Sequence, residues 1–520
     1  MKICLVNPPG TQKRFEGYEW SNNTFTIQHL GLGYIAGSLE KNGYETEIIE
    51  CPGRDLGVAE LCGIIEKEAY DIVGITTYFY NFLNVMRIVT NLKKKNRNIF
   101  IFLGGYLPTL CNEMVLHKAK GIDCCVLGEG EYACLELVEA ITNKKDWRQI
   151  KNISYMDDDK VITNPMREPL QNLDELPYPK RVILNSMFVP ISTSRGCYGR
   201  CNFCGVREFY ELCNVKAMRF RSPEDVINEI DFLKKTYDTE VFLISDEIFF
   251  GASLSRRKWL DTFYDLLVDK KIDIKFQALA RANDLLLNEN IIEKMKKVGL
   301  INVFIGAESF VQRQLDFYRK LTTVEQNIKA IEVLKKHNLK VSLGLMLFDP
   351  YVTIDELLQN IKHLKETECY KIVDEKQEIF SIDGPVIAIP GTFLYKELDD
   401  NHMIKDNEIK YDIKDDKASL CYEILKKWSH YIKPVSSLFY LLRMAEKQCS
   451  QDLLSELKEM KARVMKFDLD FFETLCVEIK GERVKEHNYK TFMEPFILEA
   501  ENYKCEWISI KDKVYQIANK

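Results

Sequence analysis

Cys197, Cys201 and Cys204 stand as a Cys-x3-Cys-x2-Cys triplet inside Thr-Ser-Arg-Gly-Cys-Tyr-Gly-Arg-Cys-Asn-Phe-Cys-Gly. Thiolate is the soft ligand that iron–sulfur centres select, and three thiolates this close in sequence can wrap one face of a cubane cluster. A [4Fe–4S] cube has four irons, so three cysteines leave one iron open for a ligand that the protein does not supply. Gly196, Gly199 and Gly205 let the backbone turn tightly around the ligands. The alternatives are a zinc site or three buried thiols. Structural zinc favours two Cys-x2-Cys pairs or added histidines, and neither lies nearby.

The elements around the triplet are those of an α/β protein. From 187 to 395 the expected strands are Val189–Ser192, Glu240–Ile244, Asp273–Leu279, Asn302–Gly306, Lys340–Leu347 and Glu378–Ile382, with helical periodicity over 223–237, 256–270, 289–298, 323–337 and 354–367. Ser222-Pro223 reads as an N-cap with proline at the first helical position, and Thr353 with Glu356 as a capping box. Six βα units suggest a partial (β/α)6 TIM-type barrel, whose reactive groups lie at the carboxyl ends of its strands. The cysteines follow the first of these strands. Asp246 and Glu247 follow the second, Gln277 and Arg281 end the third, and Glu308 and Ser309 follow the fourth. Asp349-Pro350-Tyr351 and Pro390-Gly391-Thr392 follow the fifth and sixth as substrate-side loops.

Residues 1–145 alternate the runs Ile3–Val6, Thr46–Glu50, Asp71–Thr77, Phe100–Leu103 and Asp123–Leu127 with amphipathic stretches such as Leu30–Asn42 and Asn84–Lys95. This is the pattern of a doubly wound, Rossmann-like parallel sheet. Ligands of such sheets sit beyond the carboxyl ends of the strands. There the chain places Asn7-Pro8-Pro9-Gly10, Thr76-Thr77-Tyr78, Gly104-Gly105-Tyr106-Leu107 and Gly128-Glu129-Gly130-Glu131. A tight turn explains any one of these; all of them on one edge exceed what turns require. Residues 146–186, with Pro165, Pro169, Pro177 and Pro179, read as a connector that stiffens the path between modules. Residues 396–520 are charged and helical, Ala418–Ile432 and Leu453–Phe467 being amphipathic, with Trp428, Tyr431 and Tyr440 read as core.

The 520 residues allow two to four domains. A hydrophobic share of 46%, a charged share of 29% and a formal net charge of −6 are those of an ordinary globular protein and give no electrostatic case for nucleic acid or a membrane surface. Sixteen cysteines without framework spacing, no signal-peptide pattern and no long apolar run lead to the expectation of a reduced, cytoplasmic protein.

The triplet resembles the signature of the radical S-adenosylmethionine (SAM) superfamily. The resemblance implies that SAM chelates the open iron, that the backbone at Phe203 neighbours the adenine, and that Asp246, Glu247, Arg281, Glu308 and Ser309 contact SAM. Residues 1–145 are similar to the cobalamin-binding domain that precedes many such proteins, on Leu5-Val6-Asn7-Pro8-Pro9, His29-Leu30-Gly31-Leu32, Gly104-Gly105 and Gly128-Glu129-Gly130-Glu131. That likeness places Asn7, Pro8, Thr76, Thr77, Tyr78, Gly104, Gly105, Tyr106, Leu107, Gly128, Glu129, Gly130 and Glu131 around cobalamin. Two departures matter: the Asp-x-His-x-x-Gly element is missing, and Leu107 stands where relatives often carry histidine. Cobalamin is therefore expected without a protein histidine on cobalt. His29 is weighed as an axial ligand against a cap, the cap favoured, and Trp20 as a cover for the corrin.

What the resemblance implies is a cobalamin-dependent radical SAM enzyme. The leading reading is a methyltransferase at an unactivated carbon of a peptide or secondary-metabolite precursor, working through a 5′-deoxyadenosyl radical and methylcobalamin. It would be supplied with electrons by a donor such as flavodoxin or ferredoxin. Ring formation, rearrangement or oxidation with the same cofactors is a second reading, and a corrinoid or redox sensor a third.

Overall fold

A computed structural model describes residues 1–10, 27–182, 188–215, 217–374, 377, 379–382, 385–405 and 411–518. Trp20 lies outside them. The first sheet contains β1 (Ile3–Asn7), β2 (Thr46–Glu50), β3 (Ile72–Thr76), β4 (Phe100–Gly104) and β5 (Cys124–Val126), all parallel in the order β2-β1-β3-β4-β5. The inner strands β1, β3, β4 and β5 are buried on both faces, which is why they read as apolar runs, while the edge strand β2 exposes Glu47. One face packs on Leu61, Val85 and Ile88, the other on Leu32, Leu39 and Leu137. Strand order reverses between β1 and β3, and the edge beyond that switch point is where doubly wound sheets take ligands.

The segment read as a connector is more structured at its start than its prolines suggest. β6 (Ile153–Asp157) and β7 (Lys160–Thr163) form an antiparallel hairpin that extends the same sheet, Ile153 pairing with Val126. Burial of Ile153 and Tyr155 against Trp147 holds it there. The later stretch does act as a strap. Lys180 N–H donates to the carbonyl of Gly33 at 2.9 Å, and a Cβ on Gly37 would lie 2.6 Å from the carbonyl oxygen of Tyr178. The helix Leu30–Lys41 thus accepts the strap only because those positions lack side chains.

The second sheet is built from β8 (Val189–Ile191), followed by the short antiparallel ribbon β9 (Ser194–Arg195) and β10 (Arg219–Phe220), then β11 (Val241–Ile244), β12 (Lys275–Ala280), β13 (Leu300–Glu308) and β14 (Lys340–Leu345). β8, β11, β12, β13 and β14 are parallel and adjacent in chain order, with helices Pro223–Tyr237, Leu254–Asp269, Glu289–Lys297, Val324–Lys336 and Ile354–Glu366 between or after them. The caps form as read: Ser222 accepts from Asp225 N–H at 3.1 Å, and Thr353 and Glu356 make the reciprocal box. The partial-barrel class holds, but the sixth expected strand does not form as drawn. Glu378 lies outside the described residues, and Phe380–Ile382 is a 3-10 turn. Its backbone is claimed from outside the sheet: Ser381 N–H and hydroxyl both donate to Asp468, the N–H at 2.9 Å, and Trp428 Nε1 donates to the same carboxylate at 3.0 Å.

Asp468 belongs to Gln451–Lys480, which with Asp416–Ser436 and Tyr489–Ala518 makes the C-terminal helical layer. Trp428, Phe471 and Trp507 join Phe348, Leu357 and Phe380 in one core with the barrel. Trp428 is buried as read, Tyr431 is exposed, and the side chain of Tyr440 lies outside the described residues. Asp468→Ala would leave the Ser381 and Trp428 donors buried without an acceptor. The expected loss is about 2 kcal/mol, read as a lower urea midpoint for the barrel and C-terminal layer together.

Candidate functional site

The three cysteines lie on the loop that leaves β9 and enters the helix Gly205–Leu212, with Cys204 at the helix N-cap. Gly199 N–H donates to Cys197 Sγ at 3.2 Å. Burial pushes the Cys204 thiol up to about 12 and raises that of Cys197. At neutral pH such thiols keep their protons until a metal displaces them. Among the described residues no three His, Cys, Asp or Glu side chains converge on a single-ion site; a cube takes its cysteines on three different irons.

What holds this loop is Asp246. Its carboxylate is fully buried and accepts Thr193 N–H at 2.6 Å, Ser194 N–H at 3.1 Å, the Ser194 hydroxyl at 2.7 Å and the Thr193 hydroxyl. Arg256 Nη2 lies 3.2 Å away, its guanidinium enclosed by Phe249 and Trp259. On the far side of the loop Asn202 N–H donates to the Tyr318 carbonyl at 3.1 Å, and Leu394 N–H to the Asn202 carbonyl at 2.9 Å. Two buried cations flank the thiols. A Cβ on Gly199 would lie 2.6 Å from Arg281 Nη1 and 3.2 Å from Cys197 Sγ. Lys320 Nζ pairs with Glu308 Oε1 at 2.6 Å; burial pulls this ammonium down, but Glu308 and Cys201 outweigh it and hold it above its ordinary value.

A cavity of about 400 Å³ opens between the carboxyl edge of the first sheet and the mouth of the second. The first module contributes Thr76, Tyr78, Gly104, Gly105, Tyr106 and the loop Gly128–Glu131; the second contributes Ser192, Ser194, Arg195, Tyr210, Ser245 and Glu247. Gly105 has φ of +99°, a conformation that glycine adopts without strain, and its Cβ would fall 3.1 Å from Thr76 Oγ1. Burial pushes the Glu247 carboxyl up to about 7, Asp246 adds to this, and the hydrogen bond from the Tyr210 hydroxyl at 3.0 Å works against it. His29 caps the helix Leu30–Lys41: Nδ1 accepts Leu32 N–H at 3.2 Å, so the proton sits on Nε2, 2.8 Å from the Tyr78 hydroxyl oxygen. Burial pulls this ring down to about 4.

The two modules are joined by an ion-pair cluster. Arg195 and Arg219 are register partners on the β9–β10 ribbon. Glu129 meets Arg219 at 2.5 Å and Arg195 at 3.5 Å, and Glu131 meets Arg195 at 2.5 Å. Burial raises the Glu129 carboxyl, but the hydrogen bonds and charges of the two arginines outweigh it and leave it below its ordinary value.

Residues 22–138 match the B12 binding domain family and residues 191–364 the radical SAM superfamily. The chain is 30% identical over 455 residues to an uncharacterized methyltransferase of Pyrococcus horikoshii, covering 85% of this chain and 93% of that one. The chain belongs to the B12-binding radical SAM family. It is also 30% identical over 323 residues to the anaerobic magnesium-protoporphyrin IX monomethyl ester cyclase of Rubrivivax gelatinosus, covering 59% of this chain and 56% of that one. Among solved structures, the fold is shared with the cobalamin-dependent SAM radical enzyme OxsB (TM-score 0.75, 17% identity, 99% of this chain and 80% of that one). It is shared too with the radical SAM methyltransferase TsrM of Kitasatospora setae (TM-score 0.61, 14% identity, 77% and 75%).

A B12-binding radical SAM enzyme carries a [4Fe–4S] cluster, SAM and cobalamin, and the residues present fit all three. The thiol loop fits the cluster. Beside it Arg281 Nε is buried without a partner among the described residues, as a site for the SAM carboxylate would be. On the floor of the cavity a Cβ at Gly104 would have nothing nearer than 3.6 Å, so this glycine answers to an open cradle and not to protein packing.

Several residues nominated from the sequence have other work. Asp246 is saturated by the loop it holds and offers no lone pair to SAM or substrate. Ser309 is fully buried in a network with Gln314 and Asn360. Asn7 donates to Glu50 at 2.7 Å, and neither it nor Pro8 lines the cavity. Thr77 and Leu107 lie buried under the wall, Leu107 N–H donating to the Thr77 carbonyl. Glu129 and Glu131 reach the cavity, but their carboxylates are held by Arg195 and Arg219. Thr76, Tyr78, Gly104, Gly105, Tyr106, Gly128 and Gly130 line it, as does Glu247, while Phe203, Arg281 and Glu308 sit on the cluster side, Phe203 edge-on to Tyr318. The sequence reading missed Arg195 and Tyr210, although one lies two residues before Cys197 and the other six after Cys204.

Asp246→Ala is expected to lower iron bound per chain several-fold after reconstitution while far-ultraviolet circular dichroism stays unchanged. Glu247→Gln carries a pH signature. The native carboxyl titrates near 7 against an ordinary 4.5, so its neutral form is favoured by folding, and wild-type stability falls as pH rises through that window. The thermal midpoint of the variant, taken relative to wild type, is therefore expected to rise between those two values.

Proposed function

We propose that this chain is a cobalamin-dependent radical SAM methyltransferase acting on an unactivated carbon of a peptide or secondary-metabolite precursor. The observation that carries the reading is the cavity whose walls come from the carboxyl edges of both sheets, with the thiol loop beginning two residues beyond Arg195 in its wall. When bound, cluster and SAM supply one-electron chemistry and cobalamin a methyl carrier, and the protein's share is to hold and orient them.

Cys197, Cys201 and Cys204 hold the cluster, with Arg281, the Glu308–Lys320 pair and Phe203 facing SAM. Thr76, Gly104, Gly105 and Gly128 receive the corrin, and Tyr78, its oxygen accepting from His29, keeps its own proton to donate into the cavity. Both ring nitrogens of His29 are engaged, so it gives cobalt no ligand. Glu247, its carboxyl pushed up to about 7 by burial and hydrogen-bonded to Tyr210, orients substrate on the barrel side. The identity to a cyclase favours ring formation as a second reading, in which Glu247 accepts a proton. A reduced, cytoplasmic setting accompanies either reading. All sixteen cysteines are free, and no helix among the described residues is long and apolar enough to cross a membrane.

The test uses anaerobically reconstituted protein with hydroxocobalamin, SAM and dithionite. S-adenosylhomocysteine together with 5′-deoxyadenosine is expected by mass spectrometry; 5′-deoxyadenosine alone would point to ring formation. Cys201→Ala is expected to lose cluster absorbance and all SAM cleavage, and cleavage that survives it would sink the assignment.

A further inference from the structure

The cluster loop also has a solvent side, and on a chain of net charge −6 that side gathers Arg200, Arg207 and Arg319, with Glu208 and Glu211 beside Arg207. Phe393 is 37% exposed and opens the helix Phe393–Asp400. Two guanidiniums lie over its ring, Arg207 at 4.5 Å and Arg319 at 5.6 Å from the centroid. Arg207 Nη1 reaches the carbonyl of Arg200 at 3.5 Å, in the stretch between Cys197 and Cys201. Arg207 is paired with Glu211 at 3.1 Å, whereas Arg200 and Arg319 are exposed and form no ion pair among the described residues. The Leu394 N–H bond to Asn202 fastens this patch to the backbone next to Cys201.

An exposed aromatic ring framed by arginines is the composition of an interface centre and not of an ordinary solvated surface. Two of the charges lack the carboxylates that would explain them as internal structure. The opposite side of the site is taken by the cavity, so a donor of single electrons has this side through which to come close to the cysteines. We propose that Arg200, Arg207, Arg319 and Phe393 form the docking surface for an acidic, low-potential electron-carrier protein. The inference rests on the radical SAM reading. In the step it serves, one electron leaves the carrier's reduced flavin or iron–sulfur centre, which is oxidised by one unit, and the [4Fe–4S] cluster is reduced by one unit; no bond to carbon changes. Redox encounters of this kind bury little area and depend on charge complementarity, so a few unpaired arginines suffice to steer and orient the partner.

Arg200→Glu and Arg319→Glu, singly and together, alter exposed side chains with no described hydrogen bond. Binding of fluorescently labelled flavodoxin to the reconstituted holoenzyme is read by anisotropy. 5′-Deoxyadenosine formation is measured in parallel with flavodoxin and its NADPH-dependent reductase, and with dithionite. The double variant is expected to bind at least about tenfold more weakly and to lose flavodoxin-driven turnover to match, with the dithionite rate within about twofold of wild type. Wild-type affinity is expected to fall as salt rises from about 0.05 to about 0.5 M. Unchanged binding by the double variant, equal loss with both reductants, or a wild type that binds neither flavodoxin nor a ferredoxin would overturn the proposal. Failure of the radical SAM reading shows separately, as no 5′-deoxyadenosine from wild type with dithionite.

Discussion

Arg195 and Arg219 stand opposite each other on a ribbon of two residues a side, and like charges in that register repel. Among the described residues no carboxylate of the barrel module forms an ion pair with either. Glu129 and Glu131, on the loop after β5, come from the other module and lie where the repulsion is greatest. The ribbon is therefore electrostatically complete only when the two modules are docked. Arg195 is followed after one residue by Cys197, so the same contact that brings the sheet edges together also places the thiol loop. The cavity between the edges is a consequence of that docking, not of either module by itself.

The loop is over-determined from two sides. A buried carboxylate at Asp246 gathers the backbone and hydroxyls of Thr193 and Ser194, and its charge is balanced by Arg256, itself enclosed in aromatic rings. Across the loop, Asn202 is hydrogen-bonded to the 317–318 and 394 backbones. Thiols held this way need little reorganisation to receive a cluster. The cations beside them, Arg281 and Lys320, also favour thiolate over thiol once the proton is displaced.

Much of this was legible in the sequence. Apolar runs bounded by glycine and proline gave the five parallel strands of the first sheet to within a residue or two, because all but the edge strand Thr46–Glu50 are buried on both faces. Capping residues marked the barrel helices for the same local reason. What the sequence hid were the long-range claims on particular side chains. Nothing near Asp246 announces that its lone pairs are filled from a loop some fifty residues earlier, and nothing near Glu129 announces Arg219, ninety residues on. Phe380–Ile382 has strand composition, yet Asp468, far along the chain, takes its donors and bends it out of the sheet. Spacing singled out the three cysteines as candidate ligands because a cluster needs them near one another; it gave no sign of the partners that fill Asp246, Glu129 and Glu131, because ion pairs and long-range hydrogen bonds carry no such spacing.

The distribution of core has a consequence for how such a chain can be assembled over evolutionary time. The first sheet carries its own apolar layer on each face, drawn from residues before 163 with Met166 and Val182 packed on from the strap. The barrel and the C-terminal helices instead share one undivided core, reaching from Ile191 to Val514. The front module can therefore be gained, lost or traded as a unit, provided it brings a pair of carboxylates to match the ribbon and apolar side chains to meet Phe209 and Tyr210 as Tyr106 and Leu110 do. The rear layer cannot be exchanged without recutting the barrel's own interior, so changes there must accumulate residue by residue.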